Sequence, residues 1–229
     1  MYYPMFYDPT YILVMIGVVI CLLASAKMNS TFSKYSRVHS HSGMTGKEAA
    51  EALLHREGIY DVRVEYVAGN LTDHYDPRSK VLRLSDATYQ QTSVAAIGVA
   101  AHECGHAIQD KENYKPMRIR SKIVPTVNLC TKLGYLAIVI GAIFSYKLME
   151  IGIILLLALL AFQLITLPVE FNASSRALKE LKKLKLLDSE EIPNAKSMLS
   201  AAAFTYVAAM LSTLLEILRY VLIFTDRDN

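Results

Sequence analysis

Apolar residues along this chain gather into four long blocks, and the stretch between the first and second blocks breaks into shorter periods. Residues 10–26 and 151–169 hold no charged side chain, residues 123–146 hold Lys132 and Pro125, and residues 200–224 hold Glu216 and Arg219. A segment crossing hydrocarbon must satisfy its backbone internally and needs ~20 mainly apolar residues as a helix. The blocks therefore predict a mainly α, polytopic helical membrane protein with about four transmembrane helices.

Residues 27–122 read differently. Thr45 to Arg56 is amphipathic, with Thr45 as N-cap and Glu48 three residues on. That is a capping box, and Gly58 ends the helix. Val62 to Val67 alternates apolar and charged residues, as a half-buried strand does. Asp73 to Ser79 carries turn chemistry, and Lys80 to Ser85 reads as a second strand. Ser93 to Gln109 is Ala-rich and nearly uncharged, the pattern of a buried helix. The predicted divisions are an anchor at 1–26, a small α+β region at 27–122, a transmembrane hairpin at 123–169, a polar segment at 170–199, and a last helix with its tail at 200–229.

Composition agrees with a membrane protein, since 53% of the 229 residues are hydrophobic. The first block has no Lys or Arg before it, so it reads as a retained anchor rather than a cleaved signal. A net charge of +3 gives no sign of nucleic acid as a partner, but the location of the basic residues is informative. Lys27, Lys34 and Arg37 follow the first block, and Arg176, Lys179, Lys182, Lys183, Lys185 and Lys196 lie between the third and fourth. The positive-inside rule puts both segments in the cytoplasm and both termini outside. Cys21, Cys104 and Cys130 form no disulfide framework, and Cys104 reads as a packing residue.

The candidate chemistry is concentrated in the buried helix, which contains His102-Glu103-Cys104-Gly105-His106. Histidines four apart on a helix share one face and can direct two imidazole nitrogens at one ion, with Glu103 beside them as general base. Two His and a carboxylate suit one Zn2+ per chain. The expected third ligand is Glu170, the first acidic residue after the chain returns to the cytoplasm. Its alternative is an ordinary interfacial glutamate, while Glu180, Asp188, Glu190 and Glu191 read as a solvated face. His74, between Asp73 and Asp76, is either a substrate or metal residue or part of a turn. Val81, Leu82 and Arg83 are expected to bind substrate as an edge strand at the rim of the cleft. Tyr206 and Arg176, with His74, are candidates to stabilise an oxyanion, and His39 and His41 read as loop residues. Glu216 and Arg219, three apart in an apolar block, would ease each other's cost as an ion pair.

Three stretches together carry a resemblance: Thr45-Gly46 opening a helix; Leu71 to Arg78 with Lys80 to Ser85; and Val99-Ala100-Ala101-His102-Glu103-Cys104-Gly105-His106-Ala107-Ile108-Gln109. With the anchor before them, they resemble the bacterial YugP-type membrane zinc metallopeptidases over nearly the whole chain. More distantly, Glu170-Phe171-Asn172-Ala173-Ser174 is similar to the E-x-x-A-D stretch of integral-membrane peptidases of the prenyl-protein and heat-shock types. In those the Asp supports a histidine ligand, so the resemblance implies that Ser174 or another group takes that part here. It implies a zincin-like, gluzincin-type catalytic domain at the cytoplasmic face of the bacterial plasma membrane, cleaving protein or peptide substrates in contact with the bilayer. A non-hydrolytic zinc-binding adaptor or assembly factor is the alternative, and an intact Glu103 argues against it.

Overall fold

The computed structural model describes residues 9–227. Expectations for residues 1–8 and 228–229, including an outside location for both termini, fall outside the described residues. The elements run α1 (Tyr11–Tyr35), α2 (Gly46–Arg56), β1 (Arg63–Tyr66), β2 (His74–Asp76), β3 (Val81–Leu84), α3 (Val94–Lys111), α4 (Lys115–Phe144), α5 (Tyr146–Lys183) and α6 (Ile192–Arg227). They divide into two compact units.

One unit comprises Ala26–Arg118 and Pro168–Phe204. Its α2 starts as the residue types dictate. The Thr45 hydroxyl accepts from the Glu48 N–H at 3.2 Å, and the Glu48 carboxylate accepts from the Thr45 N–H at 2.8 Å. Ala49, Ala50, Leu53 and Leu54, at helical spacing, are buried in a core shared with α3. Helix α3 is itself covered on nearly every side, with Ala95, Ala96, Ala100, Ala101 and Ala107 all essentially inaccessible. Small side chains let neighbouring backbones come close all round it, which is why its sequence shows little amphipathic contrast.

The sheet of this unit corrects an expectation. Its order is β1-β3-β2, with β1 parallel and β2 antiparallel to β3. Val81 to Leu84 is thus the central strand and has no free edge, and Val81 and Leu82 are core residues rather than a rim. The expected turn at Asp73 to Ser79 holds a strand instead, His74–Asp76, and the reversal follows it, with Lys80 at φ 53°. A three-residue strand flanked by Asp and Pro has too few positions to register as alternation.

The other unit comprises residues 9–25, 119–167 and 205–227. Among the described residues, four helices are long and apolar enough to cross a membrane: α1, α4, α5 and α6. Within the unit α4 and α5 pack at backbone distance, since a Cβ on Gly152 would lie 2.7 Å from the Gly134 carbonyl oxygen. Helices in lipid associate through such small-residue contacts. The charged side chains of the last block have partners here. Glu216 accepts from the Tyr135 hydroxyl at 2.9 Å and the Tyr220 hydroxyl at 3.2 Å. The Arg219 guanidinium lies 4.1 Å from the centre of the Tyr11 ring, a cation–π contact.

The helices run past the apolar blocks. In particular α5 does not end at Val169 but continues through Glu170 to Lys183 with Pro168 inside it. A proline removes one backbone donor, and packing on both sides of it can hold the helix through the gap.

Candidate active site

Three side chains meet around α3 and the stretch of α5 that follows Pro168. His102 and His106 stand one turn apart with ring centroids 4.8 Å apart. One oxygen of Glu170, Oε2, lies 3.2 Å from His102 Nε2 and 3.6 Å from His106 Nε2. Tetrahedral zinc with ligand distances of ~2.0–2.1 Å has donor–donor edges of ~3.3–3.4 Å, so this donor set matches such an ion in chemistry and in spacing. Glu170 is 2% exposed, a depth at which a carboxylate needs cationic company.

What draws α5 to this point is Gly105. A Cβ there would sit 2.5 Å from the Ala173 carbonyl oxygen, so the two helices touch backbone to backbone. Glu170 lies one turn before Ala173 on α5 and is thereby brought to the histidines. The imidazoles are also held from behind. His102 Nδ1 is 3.2 Å from the Ser174 hydroxyl, and His106 Nδ1 is 3.1 Å from Gln109 Oε1. Ser174 is thus the group that backs His102. Gln109 escaped the sequence reading as a site residue; its spacing of three from His106 on one helix was the available signal.

Glu103 is buried, and burial pushes its carboxyl up to about 7; the neighbouring His102 opposes this, while the charges of Glu170 and Asp73 add to it. The backbone of Tyr75 also opposes the rise slightly. Tyr75 belongs to β2, an edge strand, which therefore lies beside Glu103. Cys104 turns the other way, its Sγ 3.5 Å from the Ala50 carbonyl of α2.

Other sequence candidates go elsewhere. His74 is exposed on β2, its ring between the Thr72 carbonyl at 2.8 Å and Arg83 Nη1 at 3.4 Å. Arg83 also pairs with Glu65. Arg176 donates through Nε to Asn172 Oδ1 at 2.7 Å and pairs through Nη2 with Glu112 at 2.7 Å, so its charge is committed within the helix pair. Tyr206 is on α6 in the other unit. The acidic residues read as a solvated face are only partly so. Glu180 is buried and held by Lys183. Glu191 is buried too, accepting from the backbone N–H groups of His41 at 2.8 Å and Asp188 at 2.9 Å. Asp188 accepts in turn from Glu191 N–H at 2.9 Å, so the two form a reciprocal cap ahead of α6. His41 joins that cap through Asp188, and the group, although rich in possible ligands, is accounted for as a helix start.

Two comparisons bear on this arrangement. Residues 10–225 match the sequence profile of the family described as "Putative neutral zinc metallopeptidase". The chain is 48% identical over 208 residues to "Putative membrane protease YugP" of Bacillus subtilis (strain 168), covering 90% of this chain and 92% of that protein. No solved structure matches the chain. With a profile match across almost its full length and a site of two histidines and a buried glutamate inside it, this chain belongs to the neutral zinc metallopeptidase family.

Proposed function

We propose that the chain is a membrane-embedded, zinc-dependent endopeptidase that cleaves membrane or membrane-proximal proteins at the cytoplasmic face of the bacterial plasma membrane. His102, His106 and Glu170 hold one zinc ion, and Glu103 is the general base. The observation that carries this reading is the convergence of both Nε2 atoms on one oxygen of Glu170, with Glu103 adjacent on α3. Zinc in such a donor set supplies Lewis acidity and brings the pKa of a water molecule towards ~7.

The rest of the chemistry falls to the chain's own groups. Glu103 takes a proton from the attacking water and delivers it to the departing amine, a role suited to a carboxyl whose burial brings its pKa up to about 7. The free edge of β2 beside Glu103 takes the extended substrate by strand addition, the part first expected of β3. The positive-inside asymmetry supports the cytoplasmic placement of the histidines and both outer termini.

The test is hydrolysis of unstructured polypeptide by the purified full-length chain with added zinc. Glu103→Gln keeps the shape of the side chain but cannot accept a proton at neutral pH. It is expected to retain zinc and lose activity by about 10²- to 10⁴-fold, the range of general acid–base catalysis. Near wild-type cleavage by Glu103→Gln removes Glu103 from the mechanism.

A further inference from the structure

The side-chain amide of Gln109 has only one orientation open to it. The residue is fully buried on α3, and its Nε2 is 2.8 Å from the Val169 carbonyl oxygen and 3.0 Å from Asn172 Oδ1. A backbone carbonyl only accepts, so the nitrogen end of the amide faces α5. The oxygen end then faces His106 Nδ1 at 3.1 Å. An amide oxygen also only accepts, so Nδ1 must carry the ring proton. Neutral imidazole has one N–H, which leaves the lone pair on Nε2, the nitrogen 3.6 Å from Glu170 Oε2.

Asn172 is oriented by the same logic. Its Oδ1 receives both Gln109 Nε2 and Arg176 Nε, the latter at 2.7 Å, and turning the amide over would set donor against two donors. Arg176 is anchored in turn on Glu112, the C-cap residue of α3. His102 is held differently. The Ser174 hydroxyl at its Nδ1 can donate or accept, so it follows whichever tautomer the other nitrogen takes; with Glu170 Oε2, which only accepts, 3.2 Å from Nε2, the proton sits on Nε2 until an ion displaces it.

We infer that Gln109 is a positioning residue that locks His106 in its Nδ1–H tautomer, keyed through Asn172 and Arg176, and so presents Nε2 to the metal before the metal arrives. This rests on the reading of His102, His106 and Glu170 as the zinc donors. Its consequence is an asymmetric site, with His106 preset and His102 changing its tautomer as the ion binds. Outer partners of ligating histidines typically govern metal affinity by about 10- to 100-fold.

The test uses the full-length chain in lipid nanodiscs, labelled with 15N-histidine and stripped of metal by a chelator. Signals of His106 are identified by their loss in His106→Ala. In the wild type the ring is expected to be protonated on Nδ1 before zinc is added. In Gln109→Leu both tautomers should appear, and zinc affinity, measured by competition with a chromophoric chelator, should fall about 10- to 100-fold. Ser174→Ala should leave the His106 signals unchanged. Protonation on Nε2 in the metal-free wild type overturns the inference without any variant. So does a Gln109→Leu protein that keeps both the tautomer and the affinity. If Gln109→Leu does not fold, the wild-type ring signals decide alone. Failure of the zinc reading has another signature: a wild-type chain that binds no zinc, or binds it independently of His102 and Glu170, and then the inference falls with it.

Discussion

Gly105 is where a single atom decides whether this site exists. Its Cα hydrogen is the only substituent that the Ala173 carbonyl can tolerate at that distance, because an added methyl would be 2.5 Å from the oxygen. Gly105→Ala must therefore push α5 away from α3, and over-packing of this kind typically costs about 1–3 kcal/mol. The same movement would draw Glu170 off the histidines. The expected outcome is a lower thermal midpoint together with loss of most bound zinc, measured by unfolding and metal analysis on one sample. Gly98→Ala is the control. Its added methyl would meet Met198 Cε at 2.9 Å, the flexible end of a side chain, so Met198 can move aside and zinc should be kept.

At the scale of elements, the proposed capture of substrate turns on the sheet. Because β3 is bonded on both sides, Leu82→Pro removes a donor from the middle of the sheet. It should lower folded yield, zinc content and turnover together. Strand addition at β2 predicts a different effect on the substrate side. A peptide N-methylated at backbone positions flanking the scissile bond should lose kcat/KM by about 10-fold or more, since it forfeits one or two backbone hydrogen bonds of about 1 kcal/mol each along with close approach. Unchanged kcat/KM across such a series would remove the strand from substrate capture.

The elements also show which features were legible. Thr45 with Glu48 is a local exchange of hydrogen bonds within one turn, and it is found as the residue types predict. The four apolar blocks appear as four long helices because length and hydropathy alone suffice for that. The spacing of His102 and His106 is likewise local. What stayed hidden depends on packing between distant segments. The order β1-β3-β2 cannot be read from the strands singly, and His74–Asp76 is too short for a period. The run of α5 past Pro168 depends on the partners on either side. Burial of Glu180 and Glu191 hides behind neighbouring lysines in the sequence, while Gln109 acquires its role only when Val169 and Asn172 arrive from α5.

For the whole molecule, metal binding and stability should be linked. An ion that binds the folded chain alone adds about 4 kcal/mol of stability at a free concentration 1,000 times its Kd. Chelation should lower the thermal midpoint of the wild type and leave Glu170→Ala unmoved. The proposed topology is checked by single cysteines in intact cells on a background lacking Cys21, Cys104 and Cys130. A cysteine at Lys147 should react with an impermeant thiol reagent, whereas cysteines at Lys80 and Lys182 should not. Labelling at Lys80 would place the histidines outside. The central claim, that His102, His106 and Glu170 hold one zinc, is tested most directly by X-ray absorption at the zinc edge on the intact, lipid-embedded protein. The account predicts one zinc per chain, with two imidazole nitrogens and a carboxylate oxygen at ~2.0–2.2 Å, and loss of most of the metal in Glu170→Ala. A sulfur shell at ~2.3 Å, or a spectrum and stoichiometry unchanged in Glu170→Ala, would contradict it.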